Sequence, residues 1–147
     1  MPHEFTLSHR VEFSETDMAG IVHFSNFFRY TEMAEVAFYR SLGLSVIDAS
    51  SGIGWPRVHA ECDYHLPLHF NDEFDVHLLV EEKRTRSIRF RFKFLKQEGG
   101  VSVVAARAKI VAVCVRRTPE GKLESVPIPE AFQTHLQSAP RDLLDGW

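Results

Sequence analysis

One acidic residue near the N-terminus of this sequence has the surroundings of a group that acts on a substrate. Asp17 lies in a segment rich in turn-forming and capping residues, 14–20, which ends at Gly20. A carboxylate can attack an acyl carbonyl to give a mixed anhydride, or it can take a proton from an attacking water. The same residue type commonly caps a helix or closes a turn. From residue types alone, the catalytic and the structural interpretations of Asp17 both stand.

The residues that follow Asp17 could supply the hydrogen-bond donors that such a reaction needs. If a helical turn begins near 20–24, its free backbone N–H groups and positive dipole end face a bound carbonyl. Each donor to a developing oxyanion is worth about 3–4 kcal/mol. Gly20 lets the backbone approach closely or serves only the turn. His23 can orient Asp17, contact the substrate or assist a proton transfer, or it packs at an interface.

A row of histidines and acids occupies every second position further along the chain, namely His59, Glu61, Asp63 and His65. This row could be mistaken for a metal site. A flat strand spaces residues of one face roughly 7 Å apart, however, so they do not converge as zinc ligands do. We therefore expect no metal, and His59 and Glu61 are candidates for the rim of a substrate pocket.

The basic residues form one cluster, made of Arg84, Arg86, Arg89 and Arg91. Such a cluster is either a solvated strand face of alternating charge or a site for phosphate groups, which guanidinium groups bind well. Arg84 and Arg86 are the candidates for phosphate contact. The sequence does not decide between the two interpretations.

Length and composition are those of an ordinary globular chain. The 147 residues predict one domain, 1–147, with a core over about 5–117 and a C-terminal tail over 118–147. The formal net charge of −3 gives no support to nucleic-acid or membrane-surface binding. Cys62 and Cys114 lie in apolar runs, as buried free thiols in a reducing compartment do. Since we find neither a signal peptide nor an apolar run of about 18 residues, we expect a cytoplasmic protein.

The hydrophobic spacing in the first half of the chain predicts a strand and a helix that position these residues. Alternation over 5–13 predicts a half-buried strand. Apolar residues cover most of the circumference of 26–42, which predicts a helix buried nearly all round. Asn26 is placed as the helix N-cap rather than as a substrate contact, and Gly43 as the terminator. The Ser- and Gly-rich stretch 45–56 predicts a loop.

The second half of the chain alternates like a set of antiparallel strands. Over 58–68 the alternation resumes, and Pro67 ends that strand or places it at a sheet edge. Further strands are predicted at 74–80, 88–94 and 101–115, with turns at 85–86 and 97–100 and one short helix near 129–136. One long helix and five antiparallel strands predict an α+β fold in which a curved sheet wraps around the helix. Such a sheet leaves an edge open, which invites dimerisation.

The segment 13–27, FSETDMAGIVHFSNF, resembles the signature of the 4-hydroxybenzoyl-CoA thioesterase family of hotdog proteins. The positions that carry the resemblance are Asp17, Gly20, Ile21, Val22, the pair His23-Phe24 and the pair Asn26-Phe27. A second segment, 61–72, is similar to the family strand that ends in Tyr, Pro and an acidic turn. The histidine at position 23 stands one place earlier than in many bacterial members. More loosely, the resemblance extends over about 5–117.

This resemblance implies a hotdog fold that pairs into a dimer, or into a dimer of dimers, with active sites built from both chains at the dimer interface. It implies hydrolysis of a coenzyme A thioester without a metal or an organic cofactor. Asp17 and His23 are then the candidate catalytic residues. The candidate substrate contacts are Gly20, Val22, Phe24, Asn26, His59, Arg84 and Arg86.

Two other functions compete with hydrolysis. A non-catalytic acyl-CoA-binding hotdog module would keep the fold without a competent carboxylate, and the presence of Asp17 argues against it. A hotdog dehydratase or hydratase would carry an acid and a histidine on the central helix, but 26–42 contains no histidine. The Phe-rich helix and strands suit an aromatic or a medium-length aliphatic acyl group equally.

Overall fold

The strands and helices follow the order that the hydrophobic pattern predicts, with short additions after the central helix and near the C-terminus. The computed structural model describes residues 2–47 and 51–147. The strands are β1 (Glu4–Arg10), β2 (Ile53–Gly54), β3 (Arg57–Tyr64), β4 (Glu73–Lys83), β5 (Ser87–Glu98), β6 (Val101–Val113), β7 (Val115–Arg117) and β8 (Leu123–Ser125). The α-helices are α1 (Asn26–Ser41), α2 (Glu130–His135) and α3 (Arg141–Asp145), and Phe13–Glu15 forms a 3-10 helix.

Five strands form one antiparallel sheet in the order β1-β4-β5-β6-β3. This sheet packs around α1, so the predicted α+β arrangement of five strands and one long helix is confirmed. A smaller sheet has the order β2-β7-β8. Within the described residues, no helix is long and apolar enough to cross a membrane.

The core lies between the concave face of the large sheet and one side of α1. The alternating phenylalanines of β5, at 90, 92 and 94, are fully buried. They face a stripe of α1 that includes Phe27, Tyr30 and Phe38. Each aromatic side chain contributes a large apolar area, so this seam supplies much of the burial that stabilises the fold. Phe132 and Leu136 of the C-terminal segment also belong to this core.

The start and the end of α1 differ in how well the sequence predicts them. Gly43 has φ +75°, and the N–H groups of Gly43 and Leu44 bond back to the carbonyls of Arg40 and Tyr39 at 3.0 and 2.8 Å. This is a Schellman ending, so the predicted terminator is confirmed. The predicted N-cap is wrong by one residue, because Ser25 occupies that position and Asn26 is already helical.

Several predicted boundaries are wrong for local reasons. The first strand ends at Arg10, not at Phe13, because the chain tightens there into the 3-10 helix and leaves Phe13 77% exposed. The third strand stops at Tyr64 rather than continuing to position 68. The predicted loop 45–56 contains β2, and its residues 48–50 lie outside the described part of the chain.

α1 is not buried on all sides. Met33 is 39% exposed, and Val36 and Ala37 are half-buried. The prediction of near-complete burial is therefore wrong for a single chain, since the sheet covers only one side of the helix.

Candidate active site

A cleft of about 530 Å³ opens where the loop after β1, the start of α1 and the segment after β3 meet. Its lining is largely apolar, with Asp17, Tyr64 and His65 as its ionisable side chains; the lining residues are Asp17, Ile21, Val22, Phe24, Phe27, Tyr64, His65, Leu66, Pro67 and Leu68. A mostly apolar cleft with few polar groups is typical of a site for a small organic ligand. Three candidates from the sequence, Asp17, Val22 and Phe24, are among these residues.

Asp17 belongs to a tight turn that also orients its carboxylate. The Gly20 N–H donates to the Asp17 carbonyl at 3.0 Å, and the Asp17 N–H donates to the Ile21 carbonyl at 2.8 Å. Gly20 has φ +82°, a left-handed conformation that glycine adopts without steric penalty. The carboxylate oxygen Oδ1 accepts the Ala19 N–H at 2.8 Å. Its second oxygen, Oδ2, makes no hydrogen bond to any described residue, so Asp17 both caps the turn and keeps one oxygen free for a ligand.

Some backbone N–H groups just before α1 have hydrogen-bond acceptors, and one does not. The Val22 N–H donates to the Leu68 carbonyl at 2.8 Å, and the His23 N–H donates to the Glu15 carbonyl at 2.9 Å. For the Phe24 N–H, no acceptor is found among residues 2–47 and 51–147. It lies directly before the N-cap Ser25, at the positive end of the helix dipole. Phe24 therefore offers a free donor at the edge of the cleft, whereas the N–H of Gly20 is engaged in the turn.

The Phe24 peptide is also held from the other side of the cleft. The Tyr64 hydroxyl donates to the Phe24 carbonyl at 2.9 Å, and the Tyr64 ring packs edge-on against Phe27 at 5.1 Å between ring centroids. Tyr64 lies in the second resemblance segment, but no sequence pattern predicts this contact. The bond links the end of β3 to the start of α1.

Two candidates from the sequence lie beside the cleft rather than in its wall. His23 is exposed, stacks on Phe24 with 4.6 Å between ring centroids, and its Nδ1 lies 2.8 Å from the Ser25 hydroxyl. The Asn26 side chain donates from Nδ2 to the Glu15 carbonyl at 2.8 Å. Asn26 therefore ties the loop to the helix, and the assigned role of His23 stays a prediction.

The remaining candidates lie far from this cleft in the same chain. Arg84 pairs with Glu82 at 3.1 Å, and Arg86 donates to the Ser125 carbonyl at 2.6 Å. The cleft adjoins the start of β4, whereas these arginines follow its end, and eleven strand residues span roughly 35 Å. His59 lies on β3 with its Nε2 atom 3.4 Å from Glu61 Oε1. A role for His59, Arg84 or Arg86 in substrate binding stays a prediction.

A half-buried carboxylate that the sequence did not single out lies under the loop. Glu15 accepts hydrogen bonds from the Glu12 N–H at 2.8 Å and the Tyr30 hydroxyl at 3.0 Å, and His9 Nε2 lies 3.1 Å away. Burial acts to raise the pKa of Glu15, but these hydrogen bonds outweigh it and hold the pKa below its usual value. The spacing of Glu12 and Glu15 matches a capping box, which was the one available sequence signal.

Metal-ligating residue types are present near the cleft but do not converge. Within residues 2–47 and 51–147, no group of three or more His, Cys, Asp or Glu side chains is arranged to hold a metal ion. Cys62 and Cys114 are both free thiols. Burial raises the pKa of the Cys62 thiol to about 11, so it stays protonated near neutral pH.

Comparison with known proteins places the chain among relatives of similar length. A family model described as the thioesterase-like superfamily matches residues 11–136. A protein of Aquifex aeolicus (strain VF5), whose name suggests an esterase, is 36% identical over 124 residues, which cover 84% of this chain and 91% of that protein. The 1,4-dihydroxy-2-naphthoyl-CoA hydrolase of Synechocystis sp. (strain ATCC 27184 / PCC 6803 / Kazusa) is 30% identical over 134 residues, covering 90% of this chain and 94% of its own.

Solved structures show the same architecture. A gentisyl-coenzyme A thioesterase superposes with a TM-score of 0.76 at 28% identity, covering 88% of this chain and 99% of its own. A 4-hydroxybenzoyl-CoA thioesterase, solved with an Asp-to-Asn change and in complex with 4-hydroxybenzoyl-CoA, superposes with a TM-score of 0.81 at 22% identity. That alignment covers 92% of this chain and 99% of the other. At so low an identity, this second likeness describes the fold alone.

Proposed function

The chain belongs to the thioesterase-like superfamily and is a thioester hydrolase with the hotdog fold, and we propose that its substrate is an aromatic acyl-CoA bound in the cleft beside Asp17. Relatives named for dihydroxynaphthoyl-CoA and gentisyl-CoA support an aromatic acyl group. The aromatic side chains of Phe24, Phe27 and Tyr64 in the lining support it as well, because aromatic rings pack favourably on one another.

The observation that carries this proposal is the free Asp17 oxygen in a cleft that also borders a free backbone donor. In one route the carboxylate attacks the thioester carbonyl, the C–S bond breaks, and CoA leaves as its thiolate, which takes up a proton. Water then hydrolyses the mixed anhydride and regenerates Asp17. In the other route Asp17 takes a proton from water while that water attacks the carbonyl, after which the C–S bond breaks and CoA leaves as its thiolate, which takes up the proton. The carboxylate must reach the carbonyl carbon in the first route and the attacking water beside that carbon in the second.

The Phe24 N–H is the proposed donor to the oxyanion that forms in either route. It is free of other partners in the described chain, and the dipole of α1 adds a positive potential at that point. A single donor of this kind is worth about 3–4 kcal/mol in the transition state. The Tyr64 bond to the Phe24 carbonyl holds the peptide before the substrate arrives.

The working site is proposed to need a second copy of the chain. β3 lies at the edge of the large sheet, and Val58 and Tyr64 on it are 64% and 45% exposed. An edge strand left unpaired is a template for another strand. Pairing of β3 with its counterpart in a second copy would cover this surface and close the cleft beside Tyr64. His23, His59, Arg84 and Arg86 would contact the substrate only in a site built from two chains.

The test of the substrate class is a thiol-release assay on benzoyl-, naphthoyl-, octanoyl- and acetyl-CoA. We expect kcat/KM for the aroyl thioesters to exceed that for acetyl-CoA by at least about tenfold, since a ring fills an apolar lining that two carbons do not. Equal activity on all four would contradict the aromatic assignment. Hydrolysis confined to octanoyl-CoA would show that the acyl group is aliphatic and not aromatic.

A further inference from the structure

The Glu15 side chain makes contacts with three separate parts of the chain, beneath the loop that carries Asp17. Its side chain is 18% exposed and the Oε1 atom is shared by the Glu12 N–H, the Tyr30 hydroxyl and His9 Nε2. His9 belongs to β1, and Tyr30 lies in the buried stripe of α1, where it is 1% exposed. The carboxylate therefore fixes the 3-10 helix against both the sheet and the central helix.

The main chain of the same residue holds the other end of the loop. The Glu15 carbonyl accepts the His23 N–H at 2.9 Å and the Asn26 side-chain amide at 2.8 Å. The two groups proposed to act on the substrate, the Asp17 carboxylate and the Phe24 N–H, are therefore both connected to Glu15. Asp17 lies two residues after it, and Phe24 follows the residue whose N–H bonds to the Glu15 carbonyl.

We propose that Glu15 is a positioning residue that sets the distance between the Asp17 carboxylate and the Phe24 N–H. This inference rests on the proposed function. A carboxylate and an oxyanion donor must address the same carbonyl group, and a misplacement of about 1 Å can lower a rate about 100-fold. Without the Glu15 carboxylate, the loop keeps its own turn and the main-chain bonds of residue 15, but it loses the side-chain bonds to His9 of β1 and Tyr30 of α1. Glu15 does not line the cleft, so it acts through its neighbours.

The first test compares Glu15→Leu with Glu15→Gln in steady-state thiol release. Leucine removes every hydrogen bond to the carboxylate, so we expect kcat to fall at least about tenfold while KM stays within about threefold. Glutamine keeps an oxygen that accepts from Glu12 and Tyr30, so we expect it to recover most of kcat. A wild-type kcat per folded protomer in Glu15→Leu, with only a lower melting temperature, would show a purely structural role.

The second test covers the case in which Glu15→Leu does not fold. Tyr30→Phe removes one donor to Glu15 from within a well-packed helix, and we expect kcat to fall about three- to tenfold at unchanged KM. An unchanged kcat in Tyr30→Phe would overturn the proposal. Glu35→Gln is the matched control, because Glu35 is a buried carboxylate of α1 that is paired with Arg57 and makes no contact with the loop. Its kcat is expected to equal that of the wild type.

The role of Asp17 in the chemistry and the positioning role of Glu15 are distinguished by one comparison of variants. If Asp17→Asn keeps full activity in the same assay, the proposed function is wrong whatever the Glu15 variants do. If Asp17→Asn is inactive while Glu15→Leu and Tyr30→Phe keep the wild-type kcat, only the positioning role is wrong.

Discussion

Replacing Glu35 with glutamine is expected to remove a pH dependence from the stability of the protein. Glu35 lies in α1 with 2% of its side chain exposed, and its Oε2 atom pairs with Arg57 at the start of β3. Its Oε1 atom makes no hydrogen bond to any described residue. Burial raises the pKa of Glu35 to about 7 from its usual 4.5, even though the Arg57 charge acts to lower it.

The direction of this pH dependence follows from which state of the protein, folded or unfolded, binds the Glu35 proton more tightly. A folded-state pKa above the unfolded value means that the native protein takes up a proton that the unfolded chain has already lost. The stabilisation is therefore complete below pH 4.5 and is lost as the pH rises through about 7. Since each tenfold change in proton affinity is worth about 1.4 kcal/mol, the loss between these limits amounts to about 3 kcal/mol. Glutamine does not titrate, so the variant lacks this contribution.

Equilibrium urea unfolding between pH 5 and pH 8 measures this difference directly. Tryptophan fluorescence follows the transition, and the protomer concentration is held fixed because association adds to the apparent stability. Between pH 5 and pH 8, we expect the free energy of unfolding of the wild type to fall by on the order of 2–3 kcal/mol more than that of Glu35→Gln. Glu120→Gln, an exposed acid in the turn between β7 and β8, serves as the control. A difference between wild type and Glu35→Gln that does not change with pH would refute the reasoning.

Three further variants address the cleft and its edges. Gly20→Val places a β-branched residue at φ +82°, so we expect a loss of about 1–2 kcal/mol in urea unfolding and a lower kcat; an unchanged kcat would separate this turn from the chemistry. Tyr64→Phe removes the bond to the Phe24 carbonyl and should lower kcat about three- to tenfold in thiol release, whereas a change in KM alone would point to substrate contact instead. Val58→Asp puts two like charges into the proposed β3 interface, so light scattering should show monomers of 16.9 kDa, and these should lack thioesterase activity. The control, Thr6→Asp on β1, should stay associated and active. An associated Val58→Asp protein would exclude β3 as the interface.

The long elements of the fold could be predicted because their residues repeat with a regular period. The alternation of β4 and β5 marks the inner face of the sheet, and all of their alternating apolar residues are buried. Gly43 marks the end of α1 because only a left-handed residue completes that hydrogen-bond pattern. The strands β2 and β8 were missed, since two or three residues carry no period. Their pairing depends on β7, which is distant in sequence from β2.

The site could be predicted only in part, because its geometry depends on groups that are brought together by folding. Asp17 and Phe24 lie in a contiguous motif, and both line the cleft. The proposed role of Glu15 depends on its contacts with His9 and Tyr30, whose convergence no local pattern reveals. The role of the arginine cluster in phosphate binding stays a prediction, because Arg84 follows the end of β4 that lies away from the cleft and could reach a substrate only in a site built from two chains.

The most direct test of the whole account is the turnover number of Asp17→Asn on the best acyl-CoA substrate. Asparagine keeps the size of the side chain and an oxygen that can cap the turn, but it can neither attack the carbonyl nor accept a proton from water. We expect kcat to fall at least about 100-fold while the acyl-CoA still binds with a similar Kd in calorimetry. A kcat within a few-fold of the wild type would contradict the assignment of Asp17 as the residue on which the chemistry depends.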